Sequence, residues 1–95
     1  MTDAPTHPFK DDPARQRFER EEQGQIAFAD YRRDAGRLAI LHVEAPVVLR
    51  GTGAAGRLMQ DIASLAQREG LKIDPYCGYA AAWLRRHKQF AGLVD

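Results

Sequence analysis

Apolar positions in this chain follow two different rhythms, and the change falls near residue 50. Before it the spacing is strand-like. Arg17-Phe18-Glu19-Arg20-Glu21 is polar with one aromatic and suits an exposed strand near a sheet edge. Gln23-Gly24 reads as a turn, and Gln25-Ile26-Ala27-Phe28-Ala29-Asp30-Tyr31 alternates as a second strand. Arg33-Asp34-Ala35-Gly36 makes the next turn. Residues 38–45 then form the most apolar strand, closed by Pro46, which has no N–H to give a central ladder. Three strands joined by tight turns predict an antiparallel meander.

Beyond Arg50 the period becomes helical. Ala54, Leu58, Ile62, Leu65 and Ala66 recur at spacings of three and four, while Arg57, Gln60, Asp61, Ser64 and Arg68 fall mostly on the other side. That pattern predicts an amphipathic helix of about four turns, stopped by Gly70. Leu71-Lys72-Ile73-Asp74 is a short strand ending at Pro75, and residues 79–87 form a second helix. The order is β-β-β-α-β-α, an α+β class. A helix between the third and fourth strands is a right-handed crossover, so those two strands should run parallel. Residues 1–13 hold three of the five prolines and little to bury, so residues 1–14 read as a mobile lead-in to a single domain over 15–95.

Composition narrows the function classes. Ninety-five residues make one small domain. The formal charge of +1 gives no bulk electrostatic case for nucleic acid or for an acidic membrane. No apolar run approaches the roughly 20 residues that span a bilayer, and no charged-then-apolar leader begins the chain. One cysteine cannot close an intramolecular disulfide, which fits a reducing cytoplasm. One Cys with three His is also too sparse for a structural zinc site.

The chemistry concentrates in Arg50-Gly51-Thr52-Gly53-Ala54-Ala55-Gly56-Arg57, between a strand and a helix. Unpaired N–H groups and the helix dipole favour an anion there, and glycines let a phosphate approach the backbone. Gly51, Gly53 and Gly56 satisfy the dinucleotide-binding G-x-G-x-x-G, with Asp74 about 20 residues later. Three strands already precede the loop, however, and one short strand follows, which is too little for that fold. The same stretch reads G-x-x-x-x-G, yet Arg57-Leu58 replaces the Lys-Ser/Thr of a P-loop. A bare tight connection before the helix is the plain alternative.

The third pattern, Arg-x-x-Gly-x-Ala over Arg50 to Ala55, resembles the acetyl-CoA pyrophosphate loop of the GCN5-related N-acetyltransferases. Upstream, Leu41-His42-Val43-Glu44-Ala45-Pro46 is similar to the central strand of their small YjdJ-type branch. Downstream, Pro75-Tyr76-Cys77-Gly78-Tyr79-Ala80 and Trp83-Leu84-Arg85-Arg86-His87 resemble its C-terminal segment. That branch often carries Pro where this chain has Gly78 and Lys88. The resemblance runs through roughly residues 15 to 94. It implies a truncated acetyltransferase-like fold, a four-stranded, mostly antiparallel sheet with two flanking helices. It also implies acetyl-CoA (coenzyme A) as cosubstrate, held by Val43 and Ala45 and by Arg50, Gly51, Thr52, Gly53, Ala54, Ala55, Gly56 and Arg57.

Acetyl transfer to an amine requires a base for the ammonium, polarisation of the thioester and a proton for the thiolate. His42 and Glu44, two apart on one strand, share a face, the one also used by Leu38 and Ile40. Glu44 is the candidate base with His42 as partner or relay; alternatively both are polar groups at a solvated strand end. Cys77 is a candidate nucleophile or a buried, inert thiol. Tyr79 is a candidate proton donor or a packed aromatic. Arg85-Arg86-His87-Lys88 reads as a solvated helix end or as a contact for phosphate, protein or RNA. Phe28, Tyr31, Leu38, Ile40, Leu58, Ile62 and Trp83 are assigned to the core. Gly53→Val is expected to block the pyrophosphate while leaving the fold largely intact.

The resulting expectation is an acetyl-CoA-dependent N-acetyltransferase with an unidentified amine acceptor. Because no further C-terminal strands follow, either the acceptor is large, such as a protein amine, or a second copy completes the site. A non-catalytic acyl-CoA-binding module is the alternative, and a dinucleotide- or RNA-binding domain a weaker third.

Overall fold

Phe18 shows how the sheet is held together, because its ring stacks on Tyr31 at 4.2 Å on one side and on Phe9 at 5.6 Å on the other. Those three aromatics come from three adjacent strands of a five-stranded sheet. The computed structural model describes residues 8–95. Its strands are β1 (Phe9–Asp12), β2 (Arg17–Glu22), β3 (Gln25–Asp34), β4 (Arg37–Glu44) and β5 (Lys72–Pro75), arranged in that order across the sheet. The first three pairings are antiparallel and β4–β5 is parallel, as the crossover through α1 (Ala54–Glu69) requires. Helix α2 (Gly78–Arg86) follows β5, and 3₁₀ turns occupy Val47–Leu49 and Lys88–Leu93.

Five strands replace the four read from the sequence. The additional one is β1, which falls within the stretch read as a mobile lead-in; residues 1–7 lie outside the described residues. Only Phe9 is apolar in Phe9-Lys10-Asp11-Asp12, so no local pattern marks a strand. Tertiary partners hold it instead. Besides the Phe9–Phe18 stack, Asp11 accepts a hydrogen bond from the Tyr31 hydroxyl and pairs with Arg33 at 3.0 Å.

The β2–β3 and β3–β4 hairpins turn on two residues each, Gln23-Gly24 and Ala35-Gly36, with positive φ at both positions. That is the turn whose twist matches antiparallel strands. Helix α1 buries Leu58, Met59, Ile62, Ala63, Leu65 and Ala66 against Phe18, Ala27, Ala29, Tyr31, Leu38, Ile40 and Ile73. Each large side chain so buried contributes about 1.5–3 kcal/mol. Helix α2 adds Ala80, Trp83 and Leu84 to the same core. No helix among the described residues is long and apolar enough to cross a membrane.

One irregularity matters for the site. Asp30 pairs with His42, but the next residue, Tyr31, pairs with Ile40. Leu41 is therefore an extra residue in β4, a bulge. One additional residue inverts the alternation that follows. Leu38 and Ile40 point into the core, and after the bulge Val43, opposite buried Ala29, takes that side. His42 and Glu44, opposite Asp30 and Phe28, turn to the other face. The expectation that they share a face with Leu38 and Ile40 is corrected by the bulge.

Candidate functional site

β4 and β5 pair only over Arg37 to Ile40 and Lys72 to Pro75, with one more hydrogen bond from the Tyr76 N–H to the Ile40 carbonyl at 2.9 Å. Beyond that point they diverge. Past the end of that pairing, between the end of β4 and the start of α2, lies a groove of 420 Å³ lined by His42, Val43, Glu44, Ala45, Arg50, Ala55 and Tyr79. It continues into a second depression of 350 Å³ lined by Ala45, Leu49, Arg50, Gly51, Gly53, Ala54, Ala55, Gly56 and Tyr79. Ala45, Arg50, Ala55 and Tyr79 belong to both, so the two form one trough from the mouth of the sheet to the N-terminus of α1. A further depression, lined by Pro75, Ala81, Leu84, Arg85, Ala91 and Val94, shares no residue with it.

The loop at the far end is built by local rules. Leu49 is buried and anchors the 3₁₀ turn after Pro46. The Thr52 hydroxyl donates to the Leu49 carbonyl at 2.6 Å and accepts from the Ala54 N–H at 3.3 Å, closing the loop on itself. Gly51 and Gly53 adopt φ of 81° and 89°, a region that side chains with a Cβ avoid. Consequently the N–H groups of Gly53, Ala55 and Gly56 have no acceptor among the described residues. Arg50 is exposed and has no carboxylate partner among them either.

Arg57 behaves differently from Arg50. It grips Glu22 through two 2.7 Å hydrogen bonds, and its Nη2 also donates to the Thr52 carbonyl at 3.0 Å. A Cβ on Gly53 would lie 2.9 Å from Arg57 Nη1. Arg57 therefore braces the loop from beneath. Glu22 also accepts from Arg20 at 2.6 Å, and the Arg57 and Arg20 guanidiniums hold its carboxyl down at about 2. Nothing in the sequence around Glu22 marks it, since the contact spans 35 positions.

At the mouth, His42 Nε2 and Glu44 Oε1 lie 2.8 Å apart, each about half exposed. Tyr79, on the first turn of α2, faces them across the groove. Burial raises its hydroxyl above the ordinary 10, opposed by nearby Arg86 and reinforced by Cys77. Cys77 itself does not line the groove; it precedes α2 and packs half-buried against the core. The basic cluster divides: Arg85 lines the separate depression, while His87 stacks on Trp83 at 3.7 Å. Asp74, the residue that completed the dinucleotide pattern, is bound bidentate by Arg37 at 2.7 and 2.8 Å.

The comparisons agree with this architecture. A sequence model of the GCN5-related N-acetyl-transferase family matches residues 17–93, and the chain belongs to that family. Among solved structures, the fold is similar to the solution structure of a GCN5-like N-acetyltransferase candidate from Staphylococcus aureus. That likeness has a TM-score of 0.68 at 20% identity and covers 97% of this chain and 91% of the other. No protein of curated function matches the chain.

Proposed function

We propose that this protein transfers the acetyl group of acetyl-CoA to a primary amine, and that it belongs to the small YjdJ-type branch of its family. The observation that carries the reading is the continuous trough from the diverging ends of β4 and β5 to the N-terminus of α1. Its far end presents the N–H groups of Gly53, Ala55 and Gly56, which have no acceptor among the described residues, beside Arg50, which has no carboxylate partner among them. Such donors suit a diphosphate. Val43 and Ala45 on the unpaired edge of β4 flank the pantetheine arm between the two ends.

The roles at the mouth follow from placement. Glu44, with His42 hydrogen-bonded to it, takes the proton from the acceptor ammonium. The freed amine attacks the thioester carbon, an N–C bond forms and the C–S bond breaks. Tyr79, whose hydroxyl is protonated at neutral pH and raised further by its partial burial, gives its proton to the departing thiolate, and the second proton that the nitrogen sheds on becoming an amide restores it. Cys77 lies off the trough and needs no part in this route. Because His42 and Glu44 stand half exposed at an open mouth, the acceptor is a large one, an amine on a protein. Acetyl-CoA as cosubstrate fits a cytoplasmic location.

Calorimetry and thermal shift with acetyl-CoA, coenzyme A, NAD and ATP test the reading. Saturable binding of the first two alone is expected; binding of NAD or ATP, or of none, overturns it. The exposure of His42 and Glu44 also suits a second reading, a non-catalytic acyl-CoA-binding module. Thiol release with lysine-bearing peptides separates the two. Transfer that falls in Glu44→Gln while binding persists supports the enzyme, and binding with no transfer supports the module.

A further inference from the structure

Trp83 is 4% exposed, the most enclosed aromatic of α2, yet its indole N–H has no acceptor among the described residues. A buried indole N–H without a partner is costly, and Trp normally finds one. No fully buried side-chain nitrogen or oxygen among the described residues lacks a hydrogen bond. The Trp83 N–H therefore reaches an accessible opening while the rest of the ring is enclosed. That opening lies at Gly56. A Cβ placed there would sit 3.5 Å from Trp83 Nε1 and 3.7 Å from the Tyr79 hydroxyl. Gly56 lines the trough on the first turn of α1, where its own N–H and that of Ala55 also lack an acceptor among the described residues.

The ring cannot turn its N–H elsewhere. His87 stacks on it at 3.7 Å and 11°, and is itself held by Nδ1 at 2.7 Å from the Trp83 carbonyl. Phe90 closes another side at 5.8 Å. A side chain read from the sequence as core thus holds one fixed donor beside Gly56, at the edge of the trough.

Resting on the acetyl-CoA reading, we infer that Trp83 is a cofactor-binding residue whose indole N–H donates to an oxygen of the diphosphate–pantetheine stretch. Gly56 is small because a side chain there would cover this donor. The absence of a Cβ serves the floor of the trough as well as the loop.

The chain has a single tryptophan, so its ¹H–¹⁵N spectrum carries one indole resonance. Acetyl-CoA should move that resonance downfield as the hydrogen bond forms. Pantetheine and ADP, titrated separately, identify the acceptor as an amide carbonyl or a phosphoryl oxygen. Trp83→Phe keeps a stacking ring and loses the donor; it should bind acetyl-CoA about tenfold more weakly. Gly56→Ala has only ordinary contacts to make, so it should fold, and by covering the indole N–H it should weaken acetyl-CoA binding. Calorimetric acetyl-CoA binding with an unmoved indole resonance and unchanged affinity in both variants overturns the inference and leaves the proposed function standing. Absence of acetyl-CoA binding to the unaltered chain overturns both.

Discussion

Arg57 and Glu22 face each other across the N-terminus of α1 and the end of β2, joined by two parallel hydrogen bonds of 2.7 Å. The pair ties the glycine loop to the sheet, because the same guanidinium donates to the Thr52 carbonyl. Arg20 extends the connection from Glu22 to Asp61 on the next turns of α1. Arg57, one of the two arginines that the sequence placed beside the phosphate, thus holds the loop in shape.

Glu22→Gln should therefore destabilise the fold by about 1 kcal/mol, an effect of about 4–8 °C in Tm for a domain of this size. The pH dependence has a definite sign. The Glu22 carboxyl is lowered from 4.5 to about 2, so its contribution is present above 4.5 and lost as pH falls toward 2. Thermal melts across that interval should fall more steeply for the unaltered chain than for Glu22→Gln. Parallel acid limbs would show that the pair contributes nothing.

Arg50→Ala should leave Tm unchanged, since Arg50 has no carboxylate partner among the described residues and is exposed. Its effect should appear in binding, as a loss of about 1–3 kcal/mol toward acetyl-CoA by calorimetry. An affinity within error of the unaltered protein would remove Arg50 from the site.

Gly53 does not tolerate a side chain as freely as its sequence context implies. At φ 89° any Cβ is strained, and it would meet Arg57 Nη1 at 2.9 Å. Gly53→Val should cost about 1–3 kcal/mol in stability, and coenzyme A affinity should fall with it. Gly51 at φ 81° has open space around its Cβ position, so Gly51→Ala should cost less, about 1 kcal/mol from backbone strain alone. Chemical denaturation ranks the two variants, and equal costs would sink the role given to the Arg57 contact.

Tyr79→Phe should lower kcat for acetyl transfer by about 100-fold or more with little change in KM for acetyl-CoA, since a proton donor acts mainly in the transition state. Its raised pKa keeps the hydroxyl protonated through neutral pH, so the high-pH limb due to Tyr79 should lie above 10 and vanish in the variant. An unaltered kcat would reduce Tyr79 to a wall of the groove.

Periodicity alone carried much of the fold. The alternation in 25–31, the three- and four-residue spacing from Ala54 to Ala66, and Gly70 as a stop are local signals that became β3, α1 and the α1 cap. The glycines at 51 and 53 were legible for the same reason, because a positive φ and a helix start are properties of a few adjacent residues. What the sequence left undecided depended on partners far along the chain. β1 exists because Phe9 finds Phe18 and Asp11 finds Tyr31. The face of His42 and Glu44 was decided by a single unpaired residue, Leu41, since strand alternation has period two and one insertion reverses it. Arg50 and Arg57 look alike in sequence, yet only Arg57 has a carboxylate 35 positions away within reach of its guanidinium. Trp83 reads as core because it is apolar at a helical spacing, and burial agrees. Which way its one N–H points was set by the stack with His87 and the missing Cβ of Gly56, a matter of packing that no local pattern contains.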